Sequence, residues 1–210
     1  MASEPKVKRI IAFVDGQNLY YNVRQAFGYS FPNYDVKALA TSISNAEADW
    51  DLQQVRFYTG IPDKTKDPWW NHFWVSKLAM MGRQGVYQFN RPLQYRTNSV
   101  DLPDGTTHTY LTKQEKGIDV RLALDVIRLA LDNKYDVALV FSQDQDLSEV
   151  ADELKAISII QNRWLQMASA FPVGQGTTNK RGIQSTKWIR IDQAMYDSCI
   201  DANDYRPRNR

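Results

Sequence analysis

The apolar residues of this chain occur in short continuous runs, and stretches with helical spacing follow them. The run at residues 9–14 contains Ile-Ile-Ala-Phe-Val and ends at Asp15. A continuous rather than alternating run is typical of a strand that is buried on both faces. A second such run at residues 136–141 leads directly into Ser142-Gln-Asp-Gln-Asp146. The same pattern predicts further strands at residues 52–58, 86–89, 164–171 and 188–191, the last of them short enough for a sheet edge.

Helical spacing of apolar residues predicts helices between these strands, at residues 17–27, 35–46, 68–81, 117–133 and 145–160. Residues 93–111 break the rhythm, because polar alternation around Pro103-Asp-Gly-Thr106 predicts an inserted β-hairpin. Strand and helix otherwise alternate along the chain. The pattern therefore predicts an α/β fold, a three-layer α/β/α domain with a mostly parallel central sheet and a small inserted β-hairpin.

Length and composition fit one domain. The chain has 210 residues, of which 24% are charged and 43% hydrophobic, values that are ordinary for a globular protein. We expect a flexible N-terminal tail at residues 1–8, a domain at residues 9–200 and a basic C-terminal tail at residues 201–210. A single cysteine, Cys199, and two histidines leave no disulfide framework and few ligands for zinc.

The sequence contains no apolar segment of membrane-spanning length, and the N-terminal residues lack the apolar core of a signal peptide. We therefore expect a cytoplasmic protein without a membrane partner. The sequence does not indicate an oligomeric state.

Four aspartates lie where a parallel sheet binds ligands. Asp15, Asp144 and Asp146 follow predicted strands, and Asp119 begins the longest predicted helix. Ligands of such sheets bind beyond the carboxyl ends of the strands. A carboxylate cluster with few His or Cys residues favours Mg²⁺ or Mn²⁺, which can activate water and hold a phosphodiester. Taken singly, each aspartate could instead be a helix cap or turn residue.

A fifth aspartate has a different pattern. Asp125 is spaced from Arg121, Arg128 and Asp132 as residues on one face of a helix are. We therefore predict that it belongs to a solvated stripe of ion pairs.

Three segments resemble the signature blocks of NYN domains, which belong to the PIN-like nuclease superfamily. They are Phe-Val-Asp15-Gly-Gln-Asn18-Leu, Lys116-Gly-Ile-Asp119-Val-Arg-Leu-Ala-Leu-Asp125 and Val-Phe-Ser142-Gln-Asp144-Gln-Asp146-Leu, in this order within residues 9–171. The resemblance implies a PIN-like fold in which Asp15, Asp119, Asp144 and Asp146 bind a catalytic metal. It also implies that Asn18 and Ser142 line the site. Lys116 is a candidate contact to the scissile phosphate, although a solvated lysine before a helix is the commoner case.

A basic surround for the acidic positions is expected from residues 154–191, which contain no Asp or Glu. Arg163, Lys180 and Arg181 are the predicted phosphate contacts, and Trp164 and Trp188 could stack on unpaired bases. Alternatively, the two tryptophans are core residues and the basic groups are merely solvated. Nucleic acid is the predicted partner, with single-stranded RNA preferred to DNA.

Three functions are compatible with these observations. The first is a metal-dependent endoribonuclease that hydrolyses phosphodiester bonds of single-stranded RNA with Mg²⁺ or Mn²⁺. The second is a non-catalytic nucleic-acid-binding or regulatory module that keeps the fold; it is motivated by the net charge of only +2 and by the absence of a strong general base. A phosphatase with an aspartyl nucleophile is disfavoured, because Asp144-x-Asp146 follows a late strand rather than the first.

Overall fold

The computed structural model describes residues 2–207. These residues form a six-stranded sheet, a separate two-stranded hairpin and helices that cover the sheet. The strands are β1 (Lys8–Asp15), β2 (Trp50–Ile61), β3 (Tyr87–Pro92), β4 (Gln94–Asp101), β5 (Thr107–Gln114), β6 (Val137–Phe141), β7 (Gln166–Pro172) and β8 (Lys187–Ile191). The helices are α1 (Gly16–Phe27), α2 (Val36–Ala46), α3 (Pro68–Arg83), α4 (Ile118–Leu131), α5 (Ser148–Ile160) and α6 (Gln193–Asp197). No helix within residues 2–207 has the length and hydropathy that crossing a membrane requires.

The six strands of the sheet run parallel in the order β3-β2-β1-β6-β7-β8. From the central strand β1 the chain winds outward through β2 and β3, then returns and winds the other way through β6, β7 and β8. The winding direction therefore reverses between β1 and β6. In open parallel sheets a crevice forms at this point, beyond the carboxyl ends of the strands.

Both faces of the sheet are covered, which explains the continuous apolar run of β1. Ile10, Ala12 and Val14 point to the face that α1, α2 and α3 cover. Ile11 and Phe13 point to the opposite face, which is covered by α4 and α5. The arrangement confirms the predicted three-layer α/β/α architecture with its small antiparallel hairpin.

The inserted hairpin is longer than predicted. β4 and β5 pair in a register that joins Gln94 to Gln114, whereas the prediction ended at residue 111. Its strands are mostly exposed, so polar residues continue the pairing without an apolar signal. The extra residues carry the chain to Glu115.

The predicted C-terminal tail is attached to the domain over residues 201–207. The side chain of Tyr205 is buried and packs edge-on against Phe73. Its hydroxyl donates a hydrogen bond of 2.7 Å to Asp201 Oδ2. Of the basic residues in the predicted tail, Arg206 pairs with Asp204 at 2.7 Å, whereas Arg208 and Arg210 lie outside the described residues.

The prediction of a solvated stripe at Asp125 is wrong, because this side chain is only 1% exposed. Arg121 does pair with it across one helical turn, at 2.8 Å. Two further partners come from β2: Arg56 Nη2 and the Tyr58 hydroxyl each donate to Asp125 Oδ2 at 2.9 Å. Burial alone would raise the pKa of Asp125, but these partners hold that pKa below its ordinary value. Asp125 is therefore an internal link between α4 and the sheet.

Candidate functional site

A cleft of about 360 Å³ opens at the carboxyl ends of β1 and β6. We call it the acidic cleft, because four carboxylates line it: Asp15, Glu115, Asp119 and Asp144. They come from distant parts of the chain. Asp15 is the last residue of β1, Asp119 lies in the first turn of α4, and Asp144 follows β6. The reversal of winding between β1 and β6 brings these segments to one edge of the sheet.

Asp15 is both a helix cap and a member of the cleft. Its Oδ1 accepts a hydrogen bond of 3.0 Å from the Asn18 N–H at the start of α1. Burial raises the pKa of Asp15 to about 6, the Asn18 hydrogen bond opposes this rise, and the charge of Asp144 adds to it. The carboxylate of Asp15 is thus held where its ionised form is unfavourable without a cation.

Glu115 belongs to the cleft although the sequence analysis did not single it out. Its carboxylate accepts a hydrogen bond from the Gly60 N–H at the end of β2. Burial raises the pKa of Glu115 to about 7, against the effect of this hydrogen bond, and the charges of Asp15 and Asp119 contribute. The sequence indicates the place of Glu115 only through its position, because Glu115 immediately precedes the segment Lys116-Gly-Ile-Asp119.

Asp144 and Asp146 do not share a wall of the cleft. Asp144 caps the 3-10 turn Gln145–Leu147 and accepts a hydrogen bond of 3.0 Å from the Asp146 N–H. Residues two apart on a strand point to the same face of the sheet, but Asp144 and Asp146 lie in a turn, so this rule does not apply to them. Asp146 is exposed and does not line the acidic cleft. Its predicted role as a metal ligand has no support from this position.

Asn18 and Ser142 hold the walls of the cleft in place. Asn18 lines the cleft, and its Oδ1 accepts hydrogen bonds from the Gln143 N–H at 3.1 Å and from Asn22 Nδ2 at 2.6 Å. Ser142 is buried, and its Oγ accepts a hydrogen bond of 3.1 Å from the Asp144 N–H. Asn18 therefore ties α1 to the turn after β6, while Ser142 fixes the backbone that carries Asp144.

The loop at residues 173–186 is docked against this turn. Gln143 Nε2 donates to the carbonyl oxygens of Asn179 and Arg181 at 2.9 and 2.7 Å. The side chains of Lys180 and Arg181 are exposed at the carboxyl end of the sheet, and Lys116 is exposed just before α4. The geometry thus leaves these three cations near the segments that form the cleft and open to solvent.

Arg163 lies at the opposite end of the sheet, where the amino ends of the strands are, in the connection that leads from α5 into β7. Its guanidinium donates to the carbonyl oxygen of Tyr135 at 2.9 Å and to that of Ala130. Burial lowers the pKa of Arg163, while Asp136 opposes the change. Trp164 is at the same end, where Lys8 lies over its ring. Neither position supports the predicted contact of Arg163 with a substrate in the cleft.

The chemistry of the acidic cleft fits a hard cation. Within residues 2–207, no three His, Cys, Asp or Glu side chains are grouped closely enough to enclose one metal ion. Mg²⁺, however, keeps several waters and usually takes only one or two carboxylates directly. An oxygen-only donor set such as Asp15, Glu115, Asp119 and Asp144 therefore suits a hydrated Mg²⁺ or Mn²⁺ better than a fully ligated zinc ion.

The NYN domain model matches residues 9–161, a range that contains every carboxylate of the acidic cleft. Among solved structures, a protein of unknown function from Vibrio parahaemolyticus has a similar fold. It is 19% identical, with a TM-score of 0.52 over 91% of this chain and 97% of that one. Ribokinase from Giardia lamblia is much less similar, at 10% identity and a TM-score of 0.34 over 78% of this chain and 48% of that one. No curated protein sequence matches the chain significantly.

Proposed function

The chain belongs to the NYN domain family of the PIN-like nuclease superfamily, and from this membership we propose that it is a metal-dependent endoribonuclease acting on single-stranded RNA. The observation that carries the proposal is the acidic cleft at the switch point of the sheet. Its carboxylates repel one another, and the pKa values of Asp15 and Glu115 are raised to about 6 and about 7. A bound cation removes this penalty, and perturbed acids in a cleft are typical of catalytic sites.

Asp15, Asp119 and Asp144 are the proposed metal ligands, directly or through metal-bound water, with Glu115 as an additional carboxylate in the same cleft. A bound Mg²⁺ or Mn²⁺ would neutralise charge on the phosphodiester and supply a reactive water. The chain's own residues fix this geometry. The carboxylate of Asp15 is held by the Asn18 N–H, and that of Asp144 is held by the Asp146 N–H. Both carboxylates therefore keep their positions before any ligand arrives.

Exposed cations near the cleft would contact the phosphates of the substrate. Lys116, Lys180 and Arg181 are exposed at the same end of the sheet, and such contacts supply affinity without base specificity. An exposed aromatic ring, that of Tyr21, also lines the cleft. Stacking on such a ring favours unpaired bases, which supports a single-stranded substrate.

The proposal is tested by replacing the carboxylates with amides. Asn is as good a helix cap as Asp, so Asp15→Asn and Asp144→Asn keep the local hydrogen bonds while removing the charge. Cleavage of labelled single-stranded RNA and DNA in Mg²⁺ or Mn²⁺ should fall about 100-fold or more in each variant, as is usual when a group that stabilises transition-state charge is lost. Asp192→Asn, which alters an exposed cap of α6, is the matched control and should keep full activity. Unchanged cleavage in both cleft variants would disprove the proposal.

A second function is favoured by one observation, the absence within residues 2–207 of a ready three-ligand metal group. In this alternative the protein binds nucleic acid and does not cleave it. The same assay separates the two functions, because a binding module would retain RNA without turnover in any divalent ion. Preference for RNA over DNA follows from the ratio of the two cleavage rates.

A further inference from the structure

A second cavity, of about 220 Å³, adjoins the acidic cleft. Gln17, Tyr21 and Glu115 line both cavities, so the two cavities share a wall. The second cavity lies between α1, α3, the end of β2 and the inserted hairpin. We call it the aromatic pocket, because Tyr20 and Tyr21 of α1 and Trp70 and Trp74 of α3 line it.

One ring of the aromatic pocket, that of Tyr21, is open for stacking, whereas Trp74 is buried at its base. Tyr20 and Trp70 pack against each other at an angle of 60°, with their centroids 5.9 Å apart, and form the half-buried wall beside Tyr21. Tyr21 is 54% exposed. Hydrophobic and aromatic side chains are the usual lining of ligand pockets.

Cationic side chains complete the lining of the pocket. Arg24 of α1 and Lys113 of β5 both contribute, and Lys113 is ion-paired with Asp67 ahead of α3. Aromatic faces for stacking together with donors at the rim are the combination by which proteins hold single-stranded nucleic acid.

The inserted hairpin is what closes this pocket. Leu93, Lys113 and Glu115, which lie at the two ends of the hairpin, form one wall. The Asp63 N–H donates to the Tyr95 hydroxyl at 2.9 Å and fastens the hairpin to the loop after β2. Gly60 permits the close contact, since a Cβ at this position would lie 2.2 Å from Leu93 Cδ2 and 2.7 Å from Glu115 Cγ.

We propose that the aromatic pocket holds one unpaired nucleobase of the strand whose backbone crosses the acidic cleft. This inference rests on the proposed function, because it places the scissile phosphate at the neighbouring carboxylates. The volume of about 220 Å³ is below the roughly 300–1,000 Å³ of drug-sized sites and suits a single base. The shared wall at Tyr21 places that base beside the cleaved phosphate, so the pocket selects where the strand is cut.

The test measures how much of the RNA affinity comes from the bases. A short labelled single-stranded RNA and an abasic ribose-phosphate chain of the same length are titrated against the protein in EDTA, where no metal-dependent cleavage occurs, and fluorescence anisotropy gives both dissociation constants. Tyr21→Ala should weaken binding of the intact RNA by about 10-fold, because stacking of one base contributes about that much. It should leave the affinity for the abasic chain unchanged. Tyr21→Phe, which keeps the ring, should behave as the wild type.

The matched control is Tyr110→Ala, because Tyr110 is a similarly exposed tyrosine, 43% accessible, on the hairpin but outside the pocket lining. It should change neither constant. Equal affinity of the wild-type protein for intact and abasic chains would overturn the inference, and so would a Tyr21→Ala effect of the same size on both. Failure of the proposed function looks different: base-dependent binding would persist in EDTA, and no divalent ion would produce cleavage.

Discussion

Replacing Asp15 by Asn should stabilise the metal-free protein at alkaline pH. The pKa of Asp15 is raised from its ordinary value of 3.8 to about 6, chiefly by burial. Between these pH values the folded protein binds more protons than the unfolded chain, so its stability falls as pH rises and levels off above about pH 6. Asn at this position has no charge to bury, and it preserves the cap of α1. The variant therefore lacks this loss.

The size of the effect follows from the pKa. A rise from 3.8 to about 6 corresponds to about 3 kcal/mol, at about 1.4 kcal/mol for each pH unit. The side chain of Asp15 is partly open to the water of the cleft, which screens its charge. We therefore expect Asp15→Asn to gain about 1–2 kcal/mol at pH 8 and close to nothing at pH 4. Glu115, whose pKa is raised to about 7, adds a pH dependence of the same sign, which is weaker in Asp15→Asn because the charge of Asp15 contributes to that rise.

Urea unfolding of the wild type and of Asp15→Asn in EDTA, at several values from pH 4 to pH 8, measures this difference directly. Asp192→Asn serves as the control, since it changes an exposed cap by the same chemistry. Added Mg²⁺ should then stabilise the wild type more than Asp15→Asn, because one proposed ligand is missing. If the free energies of unfolding of the two proteins differed by the same amount at every pH, burial would not disfavour the ionised form of Asp15 as argued.

Four other substitutions test separate parts of the structure. Asp125→Ala should reduce the free energy of unfolding by about 3–5 kcal/mol, because it leaves buried Arg56 without a counter-ion; a loss below about 1 kcal/mol in urea unfolding would instead indicate a solvated pair. Gly60→Ala should push the hairpin away from the sheet, seen as faster proteolysis within residues 94–114 and as loss of the base-dependent part of RNA affinity; unchanged proteolysis would contradict the close contact. Arg163→Gln should lower the free energy of unfolding by about 1–3 kcal/mol without altering RNA affinity. Arg181→Gln should leave the free energy of unfolding unchanged, weaken RNA binding and reduce the salt dependence of binding by about one counterion. If Arg163→Gln weakened RNA binding and Arg181→Gln did not, the substrate would lie at the amino end of the strands instead.

The layers of the fold could be predicted because the spacing of apolar residues within each segment indicates its strands and helices. A strand covered on both faces needs an unbroken apolar run, and β1 and β6 have one. The positions of Asp15, Asp119 and Asp144 follow from the same patterns, since parallel strands and the helices between them deliver such residues to one edge of the sheet. Which side chains then meet at that edge depends on turn geometry and on long-range pairing.

The residues whose positions were predicted wrongly, or not predicted, depend on contacts between segments far apart in the sequence. Asp125 has the spacing of a surface ion pair, and only the position of Arg56 on β2 makes it internal. Arg163 lies in a basic stretch, yet its connection leads into the amino end of β7, opposite the cleft. Glu115 follows an exposed hairpin with no apolar signal, so neither its burial nor its approach to Gly60 could be foreseen from spacing.

The sheet order also sets when the cleft can form during synthesis. β1 pairs with β2 about forty residues later along the chain, but its other neighbour, β6, is separated from it by well over a hundred residues. Domains begin to fold from the N-terminus as they are made, so the first half of the sheet can assemble while Asp144 is still inside the ribosome. A chain that acts on RNA as proposed therefore completes its acidic cleft late, and a truncated product that ends before β6 carries Asp15, Glu115 and Asp119 but lacks Asp144.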